Sequence, residues 1–142
     1  MWDRFRYASA TSLLVLSMSC GEQKKEVPRK TPETRYEQIS QEFQEAHEIK
    51  GIEGIIARSK AYNNFGEYYA EQERYEEAIN SYKQSMNIGG ETAEAYQGIA
   101  NVQYLKGDKT QAVHLARKAL KINPEYAPAK DFLEQINNNI KK

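Results

Sequence analysis

The sequence predicts an all-α fold: a stack of antiparallel helix hairpins, about six helices in all. Three observations carry this. First, two stretches superimpose when the chain is slid by 34 residues: Tyr62, Phe65, Gly66, Ala78, Ser85 and Ile88 fall on Tyr96, Ile99, Ala100, Ala112, Ala119 and Ile122. Aromatic meets bulky apolar, small meets small and aliphatic meets aliphatic. A repeat of that length is one helix–turn–helix unit, which buries its apolar face only by stacking on neighbours. Second, turn-forming residues punctuate the periodic segments at the places a hairpin requires. Third, 39% hydrophobic against 28% charged residues suits a thin helical stack better than a deep globular core.

The elements follow in order. Tyr36, Ile39, Phe43, Ala46 and Ile49 overlie Tyr75, Ala78, Tyr82, Ser85 and Ile88 at an offset of 39. Residues 34–58 therefore read as an N-terminal helix, a degenerate half repeat, with its lead-in. The chain turns near Gly51, and the five extra residues lengthen the next helix backward through Ile52, Ile55 and Ile56. The repeats proper are expected at 59–92 and 93–126. Tyr62, Phe65 and Tyr69 share one helical face, as do Tyr96, Ile99 and Gln103. Ile79, Tyr82 and Met86 answer from the partner helix of the first repeat, and Val113, Ala116 and Leu120 from that of the second. Gly89-Gly90 and Asn123-Pro124 end the second helices, and Gly107-Asp108 separates the two helices of the second repeat. Residues 127–142 form a capping helix, with Pro128 in its first turn and Phe132, Leu133, Ile136 and Ile140 as its apolar stripe.

On these residues the stretch from Ser59 to Tyr126 resembles two tandem tetratricopeptide repeats, without gaps. The resemblance implies a right-handed superhelical stack. Gly66 and Ala100 then stand where the first helix of each hairpin crosses the second, and Ala78 and Ala112 face them. Two positions depart from the pattern. Gln103 replaces an aromatic and Ala116 a large side chain, so a looser second repeat is expected. The resemblance also implies a site. First helices line the concave side, which here carries Lys60, Asn63, Glu67, Ala70 and Glu71, then Glu94, Gln97, Asn101, Tyr104 and Leu105. Asn63, Glu67, Glu71, Glu94, Gln97, Asn101 and Tyr104 are the candidate partner-binding residues. The paired Lys–Asn clamp with which some relatives grip a C-terminal carboxylate is missing, since Asn63 and Glu67 stand at its first pair. An acidic, amide-rich groove with Tyr104 as anchor suits a polar or basic extended peptide.

Residues 1–19 have the plan of a signal peptide: Arg4 and Arg6, then an apolar core around Leu13, Leu14, Val15 and Leu16. The single cysteine, Cys20, follows Ser19 and precedes Gly21. This resembles a bacterial lipoprotein signal, with Ser17 standing where that signal commonly has Leu. The resemblance implies cleavage before Cys20, lipidation of its sulfur with acylation of the new amino terminus, and a place on the bacterial cell envelope. Gly21, where an inner-membrane lipoprotein often has Asp, points to the outer membrane. An ordinary signal peptide and an uncleaved anchor are the alternatives. Residues 20–33 are the lipidated cysteine and a tether, with two prolines and mixed charge from 21 onward. The thirteen residues after Cys20 reach at most about 45 Å.

Composition excludes several classes. With 20 basic and 20 acidic residues, there is no basic excess for nucleic acid. No Gly-rich phosphate loop or nucleophile motif appears, and neither His47 nor His114 has ligands at metal spacing. No enzyme activity, cofactor, metal or small-molecule substrate is expected. The sequence thus predicts a non-enzymatic adaptor or assembly helper, tethered to the envelope through lipid on Cys20, that binds another envelope protein or extended peptide. A self-associating structural spacer is the alternative.

Overall fold

The computed structural model describes residues 31–140, and the side chains of 31–139. The expected signal peptide, Cys20 and most of the tether lie outside the described residues. Six helices follow one another: α1 Pro32–Glu48, α2 Gly51–Glu71, α3 Tyr75–Gly89, α4 Ala93–Leu105, α5 Lys109–Ile122 and α6 Ala127–Ile140. No strand occurs among the described residues. Each helix packs on the next, and α2 also touches α4. The expected all-α stack of hairpins is what forms.

Local chemistry sets the boundaries. Thr31, Thr92 and Asp108 accept the backbone N–H three residues on and so cap α1, α4 and α5. Glu76 and Glu77 sit in the first turn of α3, where negative charge complements the helix dipole. Gly51, Gly90 and Gly107 take left-handed backbone angles at the turns. The turn between α2 and α3 copies the one between α4 and α5. Gly107 N–H donates to Tyr104 and Asp108 N–H to Gln103; Glu73 N–H donates to Ala70 and Arg74 N–H to Tyr69. The left-handed position that Gly107 fills is held in the first hairpin by Glu73, at φ 59°.

The core runs along α3, α4 and α5. Its centre is Tyr82, which is 4% exposed. The distal edge of this ring lies between two glycines from different hairpins. A Cβ on Gly66 would fall 2.7 Å from Tyr82 Cζ, and one on Gly98 only 2.3 Å from it. Gly66 was legible as a crossing point from the repeat. Gly98 was not, because its counterpart one repeat earlier is Asn64.

The second repeat is not looser, contrary to the sequence expectation. Ala100, Val102, Ala112, Ala116 and Ala119 are all 0% exposed. Small side chains close the gap by letting backbones approach, so Ala116 replaces bulk with proximity. At the other end, Ser59 Oγ meets Ser85 Oγ at 2.9 Å, and a Cβ on Gly89 would lie 2.5 Å from Ser59 Oγ. α3 therefore ends level with Ser59, and the first two turns of α2 project past it.

Two substitutions test this description by chemical denaturation. Gly98→Ala drives a methyl into the Tyr82 ring and should cost about 1–3 kcal/mol by overpacking. In a Tyr82→Leu background the same change should cost much less, a non-additivity that only direct contact produces. Glu73→Gly removes a side chain from a left-handed position and should stabilise by roughly 1 kcal/mol. An unchanged midpoint would refute the copied turn.

Candidate functional site: the concave face and an aromatic cavity

The predicted residues divide into two layers. Glu67, Glu71, Glu94 and Asn101 are exposed, and Tyr104 is partly buried. Asn63 and Gln97, at equivalent places in successive first helices, are instead buried, 3% and 4% exposed. They lie beneath the face and not in its open lining, on two helices that are in contact. Gln97 Nε2 donates to Asn101 Oδ1 at 2.7 Å. Asn63 Oδ1 and Gln97 Oε1 are buried acceptors with no hydrogen-bond donor among the described residues. Tyr104 meets the ring of Phe132 edge-on at 5.7 Å, so the anchor is tied to α6.

Three further residues complete this face. Arg35, from α1, pairs with Glu67 at 3.5 Å and with Glu71. Tyr82 carries its hydroxyl beyond the glycine window toward Glu67, Glu94, Glu71 and Tyr126. Burial first, and then those three carboxylates and that phenol, push its pKa well above the tyrosine range. Tyr126 is raised in the same direction by burial, then by Glu94 and Glu67. The Glu67 carboxyl is raised too: desolvation leads, Arg35 opposes it, and Glu94 and Glu71 add to it. Three carboxylates thus lie about two phenols with raised pKa values, and Arg35 pairs with two of the carboxylates. Sequence spacing missed Arg35, Tyr82 and Tyr126, which come from second helices and a loop rather than from the concave first helices.

The opposite side of α2 bears a feature that sequence reasoning read only as core. A cavity of about 460 Å³ opens between α1, α2 and α3, lined by Tyr36, Phe43, Tyr62, Phe65, Tyr69 and Glu77, with smaller polar neighbours. Phe43 packs edge-on against Tyr62 at 4.9 Å, and Tyr36 lies 5.8 Å from Phe65. The Arg74 guanidinium sits 4.6 Å above Tyr69 and donates to Glu77 Oε1. The available signal was Tyr36 and Phe43, seven apart on α1 and so on one face. His47 belongs to the rim of this cluster, 4.4 Å from the Phe43 ring.

The two hairpins share a 34-residue period, one wedge residue and a copied turn. Residues 58–125 match the tetratricopeptide repeat family. The match takes in most of α2 and all of α3, α4 and α5. No curated protein matches the chain. Tetratricopeptide repeats generally mediate protein–protein interactions and are typically non-catalytic. Among the described residues no group of three or more His, Cys, Asp or Glu is placed to hold a metal ion. No described helix is long and apolar enough to cross a membrane.

The raised Glu67 pKa has a defined sign. Its folded value lies above the ordinary 4.5, so the folded state holds the proton more tightly than the unfolded chain. This group favours folding below that value, and its contribution is lost as pH rises toward the folded pKa. In a carbon-detected carboxyl titration Glu67 should show a midpoint above the usual glutamate range. Arg35→Gln should move it further up, since Arg35 is the influence that lowers it. A downward move would refute the assigned charge arrangement.

Proposed function

We propose that this chain is a non-enzymatic adaptor that holds a basic, extended peptide of an envelope protein across the concave face of its tetratricopeptide repeats. The observation that carries the reading is the cluster of carboxylates on this face. Glu94 and Glu71 both raise the pKa of Glu67, and all three raise that of the Tyr82 phenol. Exposed carboxylates call for a cation, and the Lys or Arg side chains of an extended peptide supply it. Asn63 and Gln97 are buried beneath them. Asn101 and the Tyr104 ring extend the contact toward α6.

The reading includes attachment of the domain to the bacterial cell envelope through lipid on Cys20, with the outer membrane as the expected side. The support is the sequence pattern at residues 1–21. Two or more acyl chains make such attachment stable, whereas one holds only marginally. α1 is capped by Thr31 and begins at Pro32, earlier than the expected 34, so the tether is residues 21–30, whose composition keeps the groove clear of the bilayer surface.

Titration calorimetry against extended peptides of matched length tests the groove. Lys- and Arg-rich peptides should bind, acidic ones should not, and added salt should weaken the complex. Glu67→Gln and Glu94→Gln should each lower affinity roughly two- to fivefold, the range for partly exposed ion pairs. Asn101→Ala with Tyr104→Ala should abolish crosslinking to a partner in intact cells while leaving helicity unchanged. Indifference to peptide charge would eliminate the proposal. Separately, Cys20→Ala should move the protein from the membrane to the soluble fraction. Continued tight membrane association would favour an uncleaved anchor.

A further inference from the structure

The five residues that break the 34-residue period build a feature the groove does not use. Ile52, Ile55 and Ile56 stand seven residues before Ser59, Tyr62 and Asn63, so they continue the face of α2 that packs on the next elements. Yet α3 stops level with Ser59, and α4 begins one full repeat after it. Among the described residues α1 and its C-cap accompany these two turns: Gly54 lies tight against the Ile49 carbonyl, and Arg58 Nη1 donates to the Ala46 carbonyl. The result is an apolar ridge that none of the described helices covers. Ile52 is 76% exposed, Ile56 61% and Ile55 38%. Branched aliphatic side chains at i, i+3 and i+4 form the surface one helix offers to another.

The charges beside this ridge select its occupant. Glu53 and Lys60 flank Ile56 at i−3 and i+4 on the same face, and among the described residues neither is in an ion pair. Opposite charges on either side of an apolar centre are self-complementary under a two-fold axis. When two copies of α2 cross antiparallel at Ile56, Glu53 of each faces Lys60 of the other. We infer that the projecting turns of α2 join two copies of this chain in an antiparallel, two-fold dimer centred on Ile56. The surface is isologous, as closed symmetric dimers require. The dimer does not rest on the peptide-binding reading: Lys60 lies on the expected concave side, but neither it nor Ile52, Glu53, Ile55 or Ile56 is among the candidate partner-binding residues.

Analytical ultracentrifugation of the full chain tests the dimer. The wild-type chain should show a concentration-dependent monomer–dimer equilibrium. Ile56→Glu should abolish it without loss of helicity. Glu53→Lys or Lys60→Glu alone sets like charges together and should weaken association about tenfold or more. The double swap Glu53→Lys/Lys60→Glu should restore it. In a Cys20→Ser background, Ile56→Cys should form a disulfide-linked dimer on mild oxidation. Ile52→Cys should not, since antiparallel crossing separates the two copies of that position by about 13 Å. A monomer at every concentration, no rescue by the double swap, or crosslinking equal at both positions overturns the inference. So does association that survives every swap but vanishes on removal of lipid or detergent, which would make the ridge a membrane contact.

Discussion

The Tyr82 ring between Gly66 and Gly98 is the contact on which the arrangement depends. Two backbones, from α2 and α4, close on the edge of one aromatic side chain from α3. The ring thereby fixes the spacing within the first hairpin and between the first and second hairpins at once. It also delivers a phenol to the concave face, where Glu67, Glu94 and Glu71 surround it. Packing and electrostatics meet in one residue: the wedge that sets the curvature of the stack also sits at the bottom of its groove. Burial among carboxylates keeps that phenol protonated, so the groove can offer it as a hydrogen-bond donor.

The two repeats solve the same packing problem with different material. The first uses rings: Tyr36, Phe43, Tyr62, Phe65 and Tyr69 fill the space between α1, α2 and α3 incompletely and leave an open cavity. The second uses methyl groups: Ala100, Ala112, Ala116 and Ala119 bring α4 and α5 together with no exposure at all. Large flat side chains span wide gaps but tile them poorly, whereas alanine needs close backbones and then leaves no void. Space therefore remains where α1 meets the first hairpin, and again, about 430 Å³, where α5 meets α6 beside Val113 and Ile136.

Most of the fold could be read from the sequence because a repeat states each constraint twice. Gly66 with Ala100, Ala78 with Ala112, and the Gly107-Asp108 and Gly89-Gly90 breaks are periodic signals, and the helices follow them. What escaped was non-periodic. Gly98 answers a ring from the preceding repeat, so comparison with Asn64 hides its purpose. The turn at Glu73 copies its Gly107 counterpart in hydrogen bonding but not in residue type. The groove was only half legible. The resemblance to tetratricopeptide repeats put Glu67, Glu71, Glu94, Asn101 and Tyr104 on the expected concave side, yet it could not tell that Asn63 and Gln97 are buried, because depth depends on how closely neighbouring helices approach. Arg35 and Tyr126 lie outside the repeat helices and carry no periodic signature.

The added residues at the start of α2 also limit how the architecture can lengthen. Beyond Ser59 the 34-residue spacing holds, with α4 and α6 beginning at Ala93 and Ala127, but α6 carries Phe132 and Glu134 where α4 has Gly98 and Ala100. Ahead of Ser59 that spacing is lost, and a newly acquired hairpin there would meet an isoleucine overhang where it needs a small-residue notch. An added hairpin would therefore have to meet a different surface at each end of the stack.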